Sequence, residues 1–250
     1  MVTPITNMKF IFKNTFRFSI LYIILYFLDA LFKNNDALYS YRYISKILLG
    51  LSLLLFYLYN TYQKDFNKKR LVIAALSLFV IGNFFFITGD NGNILHFVIA
   101  ALLFVIAKIC YSVRFLNNEV FIINKLIPFL LFCFTYMSII IFMVYSNLEG
   151  FFVPLLIYLF VSMLLMQFAY LRKREVNTIS FWLVIIGVVS FMLADSINIL
   201  KMFYNPLIAY NKITVMFFYC LAQYLIVLGI LKETNNNNNK ENLDRKNKLN

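Results

Sequence analysis

Long apolar stretches separated by short polar segments make up most of this chain. An α-helix needs about 20 apolar residues to cross the hydrocarbon core of a bilayer. The pattern predicts eight such helices, at approximately residues 11–32, 40–62, 71–88, 94–114, 124–145, 151–171, 178–200 and 207–231. Because the runs are continuous rather than alternating, they indicate helices and not barrel strands. The predicted fold class is all-α, an integral membrane bundle.

Composition agrees with a membrane protein, since 62% of the 250 residues are hydrophobic and only 14% are charged. Soluble domains carry about a quarter charged residues. The connections are too short to hold a second folded domain, so residues 1–233 form one predicted membrane domain. The Asn- and Lys-rich segment 234–250 is of low complexity and polar, and we predict a disordered cytoplasmic tail there.

The net charge of +12 is explained by topology rather than by nucleic-acid binding. With eight helices, 17 of the 23 Lys and Arg residues fall on the side of the two termini. Five fall on the opposite side, namely Lys33, Arg42, Lys46, Lys201 and Lys212. The positive-inside rule therefore predicts that both termini are cytoplasmic.

Asp195 is the main candidate functional residue, because it lies within the apolar run FWLVIIGVVSFMLADSINIL. An acid in mid-membrane costs about 2.5–3.5 kcal/mol and usually faces a cavity, a partner or a substrate. The topology predicts one polar layer toward the outer side, formed by Asp29, Lys46, Asn83 and Asp195. For Asp29 and Lys46, a position at the membrane interface is an equally open alternative, and Asn83 could instead bridge two helices.

Two further helices bring polar groups toward the centre of the membrane. Tyr219 and Gln223 are four residues apart and share a face of the eighth helix, where packing is the alternative role. On the fourth helix, Lys108 either pairs with an acceptor such as Asp195 or extends to the cytoplasmic head groups. The nearby Arg114 favours the head groups. In an apolar setting the neutral form of Asp195 would be favoured, and it could then donate a proton.

Other chemistries lack the residues that they need. The chain has one histidine, His96, in a predicted turn, and three cysteines without metal spacing. It has no Gly-rich phosphate loop. We therefore expect no metal and no cofactor.

Residues of about 40–231 resemble the YhhN family, whose characterised members are lysoplasmalogenases. The family's motifs correspond here to Lys46-Ile47-Leu48, Gly82-Asn83, Ala107-Lys108 followed by Tyr111, Ala194-Asp195-Ser196, and Tyr219 with Gln223 and Gly229. Asn83 stands where the family has an aspartate, and Lys108 stands where it has a histidine. Asn83 cannot ionise, so it could orient water but could not act as a base.

The resemblance implies a multi-pass protein of the bacterial inner membrane that acts on a lysophospholipid-like amphiphile. The implied reaction is hydrolysis of the vinyl ether bond of lysoplasmalogens, with release of a fatty aldehyde. Asp195 and Asn83 would be the catalytic pair, with Asp195 as acid or base. The implied substrate-binding residues are Lys46, Lys108, Tyr111, Ser196, Tyr219 and Gln223. Of these, Lys46 would pair with the phosphate.

Three functional hypotheses follow from these observations. The first is the hydrolase, and the second is a non-catalytic lipid-binding or structural relative that lost the acid of the third helix. The third is a small-molecule transporter, which the lack of a repeat with paired interrupted helices disfavours. The expected partners are membrane lipid or lysophospholipid, not nucleic acid. The sequence leaves a homo-oligomer open.

Overall fold

The computed structural model describes residues 11–62, 65–90, 92–116 and 123–233. The predicted tail, 234–250, lies outside these residues. The described chain folds into eight long α-helices: α1 (Thr15–Asn34), α2 (Arg42–Asn60), α3 (Phe66–Asp90), α4 (Ile94–Phe115), α5 (Ile123–Val144), α6 (Phe152–Leu171), α7 (Thr178–Phe203) and α8 (Asn211–Leu231). Each of the eight predicted helices corresponds to one of them, and the all-α fold class is confirmed.

Side-chain caps and short turns explain several helix boundaries. The side chain of Asn14 accepts hydrogen bonds from the backbone N–H groups of Phe16 and Arg17 at the start of α1. Asn93 accepts from the N–H of His96 at the start of α4. Such caps satisfy donors that have no partner within the helix. Short 3₁₀ turns, such as Asp36–Tyr41 between α1 and α2, make other connections.

Within the described ranges, eight segments are long and apolar enough to cross a membrane, which supports a multi-pass integral membrane protein. The α1–α2, α3–α4, α5–α6 and α7–α8 connections lie at one end of the bundle, called here the predicted outer end. The opposite end, called the predicted inner end, holds the described residues of the α2–α3 and α6–α7 connections and residues 232–233, which follow α8. The side of the membrane that each end faces stays a prediction from the charge pattern.

Helices α7 and α8 pack closely because each presents a glycine to the other. A Cβ added to Gly187 would lie 2.8 Å from Ile226 Cγ1, and one added to Gly229 would lie 2.6 Å from Val184 Cγ2. Small residues allow this approach in membranes, where the hydrophobic effect does not drive helices together. Gly187 and Gly229 therefore allow the backbones of α7 and α8 to approach each other closely.

Two buried arginines meet one carboxylate at the predicted inner end. Glu233, just after α8, accepts from Arg114 Nη2 at 2.8 Å and from Arg172 Nη2 at 3.0 Å. Arg172 also donates to Ser180, whose hydroxyl donates to the carbonyl of Gly229. Burial lowers the pKa of Arg172 to about 10, and the Glu233 carboxylate opposes that shift. These bonds join α4, α6, α7 and the end of α8.

Candidate functional site

A cavity of about 360 Å³ opens between α3, α4, α6 and α7, toward the predicted outer end. Most of its lining is apolar and aromatic, including Phe86, Phe104 and Phe151. Its polar lining includes the carboxylate of Asp195 and the phenol of Tyr158 deeper in the bundle, with Asp90 and Lys201 near the helix ends. The volume lies within the range of about 300–1,000 Å³ that is typical of small-molecule sites.

Asp195 is the centre of a buried hydrogen-bond network. Its Oδ2 accepts from Lys108 Nζ at 2.5 Å and from the Ser162 hydroxyl at 3.2 Å. Its Oδ1 accepts from the Tyr158 hydroxyl at 2.7 Å. The Lys108 ammonium also donates to Ser162 at 2.9 Å and lies 4.0 Å from the centre of the Tyr158 ring. Both charges are therefore paired and solvated by protein groups, as buried charges require.

This geometry corrects the sequence-based preference for Lys108. The side chain does not extend to the head groups at the predicted inner end but points into the bundle and pairs with Asp195. Lys108 is only 1% exposed, so α6 and α7 enclose it completely. The pairing also opposes the predicted proton-donor role of Asp195, because an ionised carboxylate can only accept hydrogen bonds.

Asn83 belongs to a second polar group, next to the cavity but separate from it. Its Nδ2 donates to the Tyr219 hydroxyl at 2.9 Å, and Gln223 Nε2 donates to the same oxygen at 3.5 Å. The Gln223 Oε1 accepts from Tyr111 at 3.4 Å. Asn83, Lys46, Tyr219 and Gln223 line a small void of about 10 Å³, which is about the size of one water.

Aromatic rings lie between the two polar groups. Tyr219 packs against Phe191 and Phe104, with ring centres 5.9 and 6.4 Å apart. Phe79 packs against the same two rings and against Tyr111. Asn83 therefore reaches the small void while Asp195 reaches the large cavity. The sequence predicted a single polar layer, but the structure has two separate polar groups. Phenylalanine side chains lie between the face of α3 that carries Asn83 and the face of α7 that carries Asp195.

A third group, of buried and half-buried charged residues, lies at the predicted outer end. Asp90 pairs with Lys201 Nζ at 2.5 Å and with Arg42 Nη1 at 3.6 Å. Asp29 and Lys46 are buried within the protein, at 0% and 5% exposure, so the alternative of a hydrated interface position is wrong for both. Asp29 accepts from the Ser45 hydroxyl at 2.6 Å. Lys46 lies 4.9 Å from the Phe86 ring centre, behind the cavity wall.

The other predicted site residues are buried away from the large cavity. Ser196 hydrogen-bonds Tyr136, and its hydroxyl also donates to the carbonyl of Met192. Tyr111 is fully buried beside Gln223. The described ranges hold no group of three or more His, Cys, Asp or Glu side chains that could bind a metal ion.

Sequence reasoning did not identify Tyr158 and Ser162 of α6. A signal was present, because they are polar residues four apart in an otherwise apolar helix and therefore share one face. Asp90 was also missed. It ends α3, and at a helix end an acid normally has access to water and needs no special partner.

The searches of curated proteins and of solved structures each found no match to this chain. The family comparison did find one, and it covers most of the membrane domain. The model of the YhhN family matches residues 41–230, and the chain belongs to that family.

Proposed function

We propose that this protein binds a single-chain, lysophospholipid-like amphiphile, with the chain in the large cavity and the head group toward the predicted outer end. The observation that carries the proposal is the cavity itself. It is apolar over most of its lining, has a size suited to a small ligand, and ends beside buried charged groups. An amphiphile has the same distribution of apolar and charged parts.

Hydrolysis of the vinyl ether bond is the second candidate function. One observation favours it: Asp195 and Tyr158 both line the cavity and are hydrogen-bonded to each other. In this reaction a proton adds to the vinyl carbon, water adds to the resulting cation, and the hemiacetal breaks into aldehyde and alcohol. The Asp195 carboxylate could stabilise that cation and accept the proton of water. Because its pair with Lys108 opposes a proton-donor role, the first proton would have to come from solvent.

Two observations favour binding without catalysis. General acid–base chemistry needs a donor and an acceptor within reach of the substrate. Asn83 cannot ionise, and it lies behind the aromatic residues rather than in the cavity. The other carboxylate among the described cavity residues, Asp90, is held by two cations near the helix ends. Binding is thus the function that the geometry supports best.

An aldehyde-release assay separates the two candidates. Purified protein is incubated with lysoplasmenylcholine, and saturated lysophosphatidylcholine serves as the substrate control because it has no vinyl ether. If the protein only binds lipid, both lipids bind and no aldehyde appears above the detergent blank. If it is a hydrolase, lysoplasmenylcholine alone yields aldehyde and Asp195→Asn abolishes the yield. Asp65→Asn, at an exposed helix cap, is the matched control variant.

Asn83→Asp tests whether the helix-three acid is the missing element. Because the aromatic residues separate position 83 from the cavity, we expect this change alone to produce no aldehyde. Aldehyde release by Asn83→Asp, without release by the native protein, would show that the two polar groups communicate with one bound substrate.

A further inference from the structure

The predicted outer end contains more buried positive than negative charge. Lys33, Arg42, Lys46 and Lys201 converge there from α1, α2 and α7. These are four of the five cations that the sequence places on that side. They face two carboxylates, Asp29 and Asp90, which leaves a surplus of two positive charges. Such a surplus is costly in a membrane protein unless an anion compensates it.

Two donors of Arg42 have no partner among the described residues. The guanidinium of Arg42 is fully buried, and its Nε and Nη2 make no hydrogen bond. Lys33, on the facing end of α1, is 8% exposed. It lies close enough to Arg42, Lys46 and Lys201 to be repelled by all three, and Asp90 attracts it. Buried donors are normally satisfied, so unsatisfied ones indicate a missing acceptor.

The chemistry of the free donors suits a phosphate group. A guanidinium presents parallel N–H groups that match two phosphate oxygens, and an ammonium adds charge and three further donors. Arg42 is 3.6 Å from Asp90, and Lys46 is 4.9 Å from the Phe86 ring centre; Asp90 and Phe86 both line the large cavity. An anion held here would therefore be adjacent to an apolar chain in that cavity.

We propose that Arg42 and Lys33, assisted by Lys201 at the cavity edge, form a binding subsite for the phosphate of the amphiphile's head group. This inference rests on the proposed function, because it assigns the head-group end of the same site. Asp90 holds Arg42 and Lys201 at the cavity edge. A phosphate ester would supply the acceptors that Arg42 Nε and Nη2 lack, and its charge would attract the Lys33 ammonium.

The test compares two ligands that differ only in the phosphate-bearing head group. Binding of 1-palmitoyl lysophosphatidylcholine and of 1-palmitoylglycerol is measured by calorimetry in an uncharged detergent. Inorganic phosphate alone is the third probe. We expect native protein to bind the phosphate-bearing lipid at least about tenfold more tightly than palmitoylglycerol. Arg42→Gln should reduce that ratio at least about fivefold without changing the affinity for palmitoylglycerol.

Lys33→Gln provides a second variant, which breaks none of the ion pairs of this group. It removes a charge that three neighbouring cations repel, so we expect the melting temperature of the ligand-free protein to rise while the affinity for the phosphate-bearing lipid falls. A merely structural role would move both quantities in the same direction. Lys173→Gln, an exposed cation at the predicted inner end, should change neither.

The outcomes distinguish this inference from the proposed function. Equal affinity for the two lipids, or an unchanged ratio in Arg42→Gln, would overturn the phosphate subsite while leaving amphiphile binding intact. If neither lipid binds but inorganic phosphate raises the melting temperature in an Arg42-dependent way, the site takes free phosphate. In that case the anion subsite stands and the amphiphile proposal fails. No response to any of the three probes would overturn both.

Discussion

The ion pair between Lys108 and Asp195 can be tested directly by a double-mutant cycle. Lys108→Met keeps the side chain unbranched and all but its terminal atom in length while removing its charge, and Asp195→Asn keeps the shape of the carboxylate. The Coulomb attraction over the observed 2.5 Å is about 7 kcal/mol at an effective dielectric constant of about 20 and about 2 kcal/mol in water. Loss of one partner from a buried pair typically costs about 3–5 kcal/mol.

Each single variant should therefore lower the free energy of unfolding by about 3–5 kcal/mol. The double variant should cost at least about 2 kcal/mol less than the sum of the two, because it leaves no unpaired charge behind. Unfolding is measured by denaturant titration in detergent micelles. Lys173→Met, which removes an exposed cation, is the control and should have little effect.

Additive effects would refute the reasoning. The changes in unfolding free energy caused by substitutions at distant, independent sites add within about 0.5 kcal/mol. If the two single variants add within that margin, Lys108 does not pair with Asp195. The sequence-based alternative, with Lys108 at the head groups, predicts that result. It also predicts that Lys108→Met is nearly neutral.

Two other changes test the packing of the bundle. Gly229→Ala should lower stability by about 1–3 kcal/mol, because the new Cβ would lie 2.6 Å from Val184 Cγ2; Gly150→Ala, which meets nothing within 4 Å, is its matched control. Glu233→Gln should cost about 3 kcal/mol, because it leaves two buried arginines without their shared carboxylate. Thermal unfolding in one detergent measures all three variants, and a Glu233→Gln protein as stable as the native one would show that the arginines have adequate alternative acceptors.

The sequence was sufficient for the fold because its signal is local. Each membrane-spanning helix must satisfy its own backbone and present about 20 apolar residues to lipid, so the runs alone predict where helices lie. The cost of an acid in such a run also makes Asp195 a candidate on the strength of its neighbours in the chain. The matched motifs around Asn83, Lys108 and Tyr219 likewise predicted the family.

The arrangement of the polar groups required the tertiary structure. In a helix that is apolar on nearly every face, the sequence does not fix which face meets which neighbour. Lys108 has apolar residues on both sides, so a position facing Asp195 and one facing the head groups were both compatible with the pattern. Packing of α4 against α6 placed Ser162 beside Lys108 and selected the ion pair.

The sequence by itself determined eight helices, an acid, Asp195, that is energetically costly in an apolar helix, and a small set of cations on the predicted outer side. The tertiary structure alone decided that Asp195 forms an ion pair with Lys108 and that phenylalanines separate Asp195 from Asn83. It also decided that Arg42 and Lys33 converge and that two donors of Arg42 have no partner. The physical reason is that helix formation depends on residues near one another in the chain. Pairing of charges depends on helix order and rotation, which are set by side-chain packing between distant segments.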